Sequence, residues 1–241
     1  MAIIATHLTT DRSLTDGTEF TTASISPASN ALVLLLVRGR RSNGLGSSPT
    51  VSGNGLTWVE IVSVGFELVS TGWCRLSLFR AMGVSPSSGT VSINYSGGNL
   101  NCCFWSIVQF EGVDTSGTNG SGAVIQSATN AQDSGTTLTV TLSAFSDPGN
   151  ATYGGFSISK ATEAINPGSG FTEFAEAQGT GTSADSGTIQ SEYLLGNDTS
   201  VDASWATSAN DSGGIAVEIK AALAAAVPWD RPQQFSQLLA Q

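Results

Sequence analysis

The residues of this 241-residue chain whose chemistry could serve catalysis or ligation are few and scattered: one histidine, His7, three cysteines, Cys74, Cys102 and Cys103, and a set of glutamates in strand-like segments. Hydrolysis by a serine or cysteine needs a histidine in reach of the nucleophile. His7 stands in the first strand-like segment, and no G-x-S-x-G elbow lies between a strand and a helix, so His7 reads as a strand-face or subunit-contact residue. Glycoside hydrolysis needs two carboxyl groups facing each other across about 5–9.5 Å. Glu60, Glu67, Glu111, Glu173, Glu176 and Glu192 are the candidates, although Glu173 and Glu176, three apart, face opposite sides of one regular strand. The segment Gly196-Asn-Asp-Thr-Ser-Val-Asp202 offers oxygen ligands for calcium without the order of an EF-hand loop.

Seven of the nine basic residues are arginine, and Arg38, Arg40 and Arg41 are their one cluster: a salt-bridged strand end, or a seat for phosphate or carboxylate. The odd cysteine count lacks framework spacing, so buried free thiols are expected. Cys102 and Cys103 must point to opposite faces of a strand, and Cys74 can reach one of them only if their strands are neighbours. There is no C-x-x-C pair, hence no zinc pattern, and no P-loop or dinucleotide fingerprint. No cofactor is expected.

Tryptophan is the other informative residue. Trp58 and Trp105 sit among apolar neighbours and read as core, whereas Trp73 and Trp205 are candidate ligand contacts, able to stack on a sugar from an exposed strand face. Trp229 stands apart, beside Pro228 in the C-terminal stretch: an aromatic anchor for a partner is expected there, the alternative being a ring that folds back onto its own sandwich.

These residues need elements to hold them. Turn signals recur every 8–12 residues or so through 1–220, between strand-like segments at 2–9, 18–25, 31–37, 56–64, 73–80, 90–95, 102–110, 123–128, 136–142, 151–159, 170–177, 187–195, 201–206 and 214–220. The runs at 31–37 and 102–110 are continuously apolar, as in a strand covered on both faces. No amphipathic helix interrupts them. The fold expected is an all-β, antiparallel, two-sheet jelly-roll-like sandwich. A boundary at 122–133 is weighed because a loop precedes it, but the shared composition and the apolar last strand favour one sandwich over 1–220, and no repeat of fixed period is seen. Residues 221–241 differ: an Ala-rich linker, then a docking tail. Pro232 suits a first helical position, and Phe235, Leu238 and Leu239 share one helical face that needs a surface to lie on.

Composition narrows the function. Charged residues are only 12 % of the chain, about half the usual share, while Ser, Thr, Asn and Gly supply the polarity. A net charge of −10 argues against a nucleic-acid binder, which needs a basic face. The opening MAIIATHLTTDR has no basic segment before an apolar one, so no signal peptide is read there, and no apolar run is long enough to cross a bilayer as a helix. No membrane or nucleic-acid partner is expected.

Five segments taken together, Val51-Ser-Gly-Asn-Gly-Leu-Thr-Trp58, Ser88-Gly-Thr-Val-Ser-Ile93, Val108-Gln-Phe-Glu-Gly-Val-Asp114, Gly168-Ser-Gly-Phe-Thr-Glu173 and Val201-Asp-Ala-Ser-Trp205, give residues 30–220 a strand-and-turn style that resembles phage and prophage-encoded virion proteins. The resemblance implies a β-sandwich that decorates a capsid or forms part of a tail, and it carries over no functional residue. The expectation is therefore a non-enzymatic virion protein, made in the host cytoplasm, that cements the outer capsid surface as a homo-oligomer, a dimer or trimer. Its partners would be the major capsid protein or other virion subunits, docked through Trp229, Phe235, Leu238 and Leu239. The alternatives are a glycan-binding module of a tail or fibre, and a glycoside hydrolase using a carboxylate pair.

Overall fold

The computed structural model describes residues 2–68, 72–181, 187–209 and 211–223. The docking tail with Trp229, Phe235, Leu238 and Leu239 lies outside the described residues. The first nine strands are β1 (Ile4–Ser13), β2 (Glu19–Thr21), β3 (Leu32–Arg41), β4 (Thr50–Gly53), β5 (Leu56–Thr57), β6 (Val59–Leu68), β7 (Gly72–Ala81), β8 (Val91–Asn94) and β9 (Cys102–Glu111). After a 3-10 turn at Ser121–Ala123 come β10 (Val124–Gln132), β11 (Gly135–Thr141), β12 (Ala151–Ile158), β13 (Asn166–Pro167), β14 (Thr172–Gln178), β15 (Thr188–Leu194), β16 (Ser200–Ala209) and β17 (Ser212–Ile219). All the strand pairings are antiparallel.

The strands form four sheets, two from each half of the chain. The first half makes a five-stranded sheet, β1-β9-β3-β7-β6, and a four-stranded sheet, β2-β8-β4-β5. The second half makes β10-β17-β12-β15-β14 and β11-β16-β13. Substituting β10 for β1, β11 for β2, β12 for β3, β13 for β4, β14 for β6, β15 for β7, β16 for β8 and β17 for β9 turns one half's orders into the other's, save that β5 has no counterpart. In each half the chain alternates between the two sheets, as a jelly roll does. The all-β sandwich expected from the sequence is thus present twice, and a repeat invisible as a sequence period is explicit in the topology.

The sheets stack as four layers. The two five-stranded sheets face each other in the middle. Between them lie Leu32, Leu34, Leu36, Leu76, Leu78, Val108 and Phe110 from the first roll, and Ala151, Tyr153, Ile215, Val217 and Ile219 from the second. Each outer sheet closes a further core. Val33, Leu35, Val37, Trp105 and Ile107 pack on Phe20, Val91 and Ile93; Phe156, Ile158 and Ala216 pack on Leu138, Val140, Val201 and Trp205. Successive side chains of a strand point to opposite faces, so an inner strand feeds two cores at once. That is why β3 and β9 are buried from end to end up to their last residue, and why their sequences are apolar without alternation.

The inner sheets meet closely where glycine allows it. A Cβ on Gly155 would lie 2.8 Å from a Leu36 methyl, and one on Gly213 would lie 2.7 Å from the Phe66 ring. Two other local devices shape the first roll. Asn54 and Gly55 adopt φ of 58° and 64°, the double left-handed turn that joins β4 to β5. The segment read as one strand from 56 to 64 is broken at Trp58, because there the chain passes from the outer sheet (β5) to the inner one (β6).

Candidate functional site

The structure disperses most of the chemical residues found in the sequence. The Nε2 of exposed His7 lies 2.9 Å from Thr10 Oγ1, which donates to Ser106 Oγ at 2.8 Å, itself 2.8 Å from Ser191 Oγ. Ser106 is fully buried, so the one chain of side-chain hydroxyls leading from His7 runs into the core rather than toward solvent. Partial shielding holds the His7 pKa below its ordinary 6.5.

The arginine cluster is split. Arg38 and Arg40 point inward, between the two rolls, and are buried. Arg38 stacks over the Phe104 ring at 5.1 Å, donates to Cys74 Sγ at 3.0 Å and abuts Gly187 of the second roll, a position where any side chain would collide with the guanidinium. Arg41 points elsewhere and donates to the Gly97 carbonyl at 2.7 Å. Arg38 and Arg40 are therefore buried between the rolls rather than forming an exposed anion seat.

All three cysteines are free and buried. Cys74 and Cys102 both stand opposite Arg40, from β7 and β9 on either side of β3. Two strand spacings are about 9.5 Å, too far for the Cα–Cα span of a disulfide. Burial pushes the Cys74 thiol up to about 11 and Cys103 well above its ordinary value. The native protein is expected to resist iodoacetamide at pH 8 and to take up label only in denaturant; rapid labelling of the folded chain would contradict this placement.

The tryptophans and loops resolve as follows. Trp205 is 4 % exposed, and its Nε1 donates to the Gly135 carbonyl at 2.7 Å, so its ring belongs to the outer core of the second roll and offers no face to a sugar. Trp105 is core and Trp58 packs half-buried on the same cluster. Trp73 is half-buried at the start of β7, opposite Arg41 and Glu67, and remains open as a ligand contact. In the candidate calcium loop Asp198 Oδ1 accepts from the Ser200 amide at 2.8 Å, and Asn197 donates to the Asp147 carbonyl at 3.0 Å. These side chains cap turns, and among the described residues no cluster of three or more His, Cys, Asp or Glu could hold a metal.

Of the six glutamates, Glu60, Glu67 and Glu111 belong to the first roll and the other three to the second. Glu173 and Glu192 are cross-strand partners on β14 and β15. Glu192 is fully buried, its Oε2 accepting from Gln190 Nε2 at 3.1 Å and from the Gly168 amide at 3.3 Å. Burial, with Asp202 and Glu173 nearby, raises its pKa to about 8, and Glu173 is raised by burial and by Glu176. Paired acids of unequal pKa suit glycoside chemistry, but a carboxyl with no exposed surface cannot meet a substrate.

One surface gathers features that the sequence could not place. The two ends of the described chain come together at one end of the molecule. Val113 bridges Ala221, the Ala222 amide donates to the Gly112 carbonyl at 2.9 Å, and Lys220 Nζ sits 2.6 Å from Asp114 Oδ2. Hydrogen bonds from Lys220 and Ser116 hold the Asp114 pKa near 2. Beside this junction is a recess of about 460 Å³ lined by Ile3, Asp147, Pro148, Ala151, Leu195 and Leu223, among others. Two of its lining side chains are open to solvent, Leu195 at 56 % exposed and Leu223 at 83 %. The walls come from four distant segments of the chain, which is why no local pattern announced them.

Comparison with known proteins yields no matching family model, no matching curated protein and no matching solved structure.

Proposed function

We propose that the chain is a non-enzymatic structural protein of a phage particle, decorating the outer surface of the capsid and attached by the end at which residues 2–3 and 221–223 meet. The observation that carries this reading is the recess at the junction of the described chain ends, where Leu195 and Leu223 are exposed. A sticky end on a stiff, weakly charged body suits a subunit repeated over a lattice, where modest contacts add through multivalency. The resemblance of residues 30–220 to virion proteins supports the same reading.

Quantitative mass spectrometry of purified particles from the source phage tests it. One copy per major capsid protein, or a simple lattice fraction, is expected. A handful of copies would move the protein to the tail or fibre, where half-buried Trp73 becomes the residue to probe on a glycan array. Complete absence from the particle would sink the virion reading.

A further inference from the structure

The structure assigns Asn43 as a site of spontaneous deamidation, the one of three Asn-Gly pairs that the fold leaves free to react. The assignment is independent of what the protein attaches to.

The chemistry needs water and no catalyst. The backbone nitrogen of the residue after an asparagine attacks the side-chain Cγ. A bond from Cγ to that nitrogen forms, the Cγ–Nδ2 bond breaks, and ammonia leaves carrying the backbone proton. Water then opens the five-membered imide at either carbonyl, giving aspartate or isoaspartate. Glycine in the following position favours the attack, since it has no Cβ to crowd the nitrogen and its backbone turns freely. The chain contains three such pairs, Asn43-Gly44, Asn54-Gly55 and Asn119-Gly120. They differ in how each side chain and each joining peptide plane is held.

Asn54 is locked through its leaving group. It is 5 % exposed, and its Nδ2 donates to the carbonyls of Ser87 and Gly89, both at 3.0 Å. Cyclisation must break both bonds. Asn119 is locked through its backbone. Its carbonyl accepts from Arg80 Nη1 at 2.8 Å, and the Gly120 carbonyl accepts from the Ala123 amide at 3.2 Å. The Asn119 carbonyl and the Gly120 nitrogen share one rigid peptide plane, so the Arg80 bond also fixes the attacking atom. Gly120 is buried, and a Cβ there would lie 2.9 Å from a Leu32 methyl, so the plane has little room to turn.

Asn43 has neither lock. It and Gly44 are exposed in the link from β3 to β4. Neither the Asn43 side chain nor the Gly44 amide makes a hydrogen bond among the described residues. Nothing but its chain neighbours lies within 4 Å of where a Gly44 Cβ would stand. The anchors of the link fall on either side: Ser42 Oγ donates to Asn101 Oδ1 at 2.8 Å, and the Gly46 carbonyl accepts from Arg75 Nε at 2.6 Å. Reaction adds a carboxylate to a chain already at −10, and the isoaspartyl product lengthens the backbone between those anchors.

Peptide mapping of the full chain, incubated at pH 8 both folded and in urea, tests this by scoring the exchange of NH2 for OH at each pair. Asn43 and Asn54 fall in one tryptic peptide, Ser42 to Arg75, so fragment ions assign the site. In urea the three pairs should convert at similar rates. In the folded chain Asn43 should stay close to its urea rate, whereas Asn54 should slow about 30-fold, the effect of two hydrogen bonds that must first break. Asn119 should slow as well, and Arg80→Met should speed Asn119 alone, with Asn54 still slow as the sign that the fold is intact. Equal slowing of all three pairs on folding, or conversion of Asn54 or Asn119 ahead of Asn43, would overturn the assignment. An Arg80→Met chain in which Asn119 reacts no faster would overturn the peptide-plane argument behind the ranking.

Discussion

Phe110→Ala is expected to lower the free energy of unfolding by about 3–5 kcal/mol, the usual cost of truncating a buried phenylalanine, and to loosen the second roll as well as the first. Phe110 belongs to β9, yet its ring contacts are all across the interface. Tyr153, Phe174 and Tyr193 stand around it edge-on, with centroids 6.4, 5.7 and 6.4 Å away. Each such contact adds about 0.5–1.5 kcal/mol beyond area burial. Because the inner core is shared, the parent should unfold in a single transition with equal calorimetric and van't Hoff enthalpies. Ile93→Ala is the control, since Ile93 packs only in the outer core of the first roll. It should destabilise the chain without separating the rolls, whereas Phe110→Ala should raise amide exchange in β12, β14 and β15 selectively. Two independent transitions in the parent, or unaltered exchange in the second roll of Phe110→Ala, would mean that the rolls are neighbours rather than one cooperative body.

The shared core also explains what was legible in the sequence. Burial on both faces was readable at 31–37 and 102–110, because inner strands of the first roll are built from Leu, Val, Ile and Phe without alternation. The corresponding strands of the second roll, β12 and β17, are just as buried, but they carry Gly154, Gly155, Gly213 and Gly214. Those glycines receive bulk from opposite layers: Leu36 against Gly155 and Phe66 against Gly213. Surfaces that pack face to face must be complementary, large into small, so two rolls related by topology diverge in sequence where they meet. That is the physical reason the repeat could not be seen as a period and a single sandwich was expected instead. The site was less legible still. Strand alternation alone could not decide whether Trp205 faced solvent or the outer core, since its neighbours on β16 are small or polar. The arginines at 38 and 40 looked like a surface cluster because buried charge leaves no mark on local pattern; their burial depends on a second roll more than a hundred residues away. The recess is a purely tertiary object.

Glu192 provides the second large effect, and its sign is set by linkage. In the unfolded chain it titrates near its ordinary 4.5, and in the fold its pKa rises to about 8. Between these values the folded form keeps a proton that the unfolded form has released, so stability falls as pH rises, by up to about 1.4 kcal/mol per pH unit. The contribution is intact below 4.5 and lost by about 8, for a total on the order of several kcal/mol before relaxation and water entry reduce it. Asp114 acts outside this window, since its depressed pKa costs stability only below its ordinary 3.8. Glu192→Gln removes the titration. It keeps an oxygen for the Gln190 and Gly168 donors and places an amide group where Oε1 has no hydrogen-bond partner. An unpaired buried amide costs about 1–3 kcal/mol at every pH, whereas the carboxyl's penalty grows with pH. The two chains should therefore cross: the variant no more stable than the parent at pH 5, and more stable at pH 8. Urea midpoints at the two pH values measure it. Parallel pH profiles would show that Glu192 ionises in the fold as readily as in the unfolded chain, and that the layer between β15 and the outer sheet admits water. A variant profile shallower than the parent's, with only the slopes of His7 and Glu173 left in this window, would identify Glu192 as the main contributor to the alkaline loss of stability.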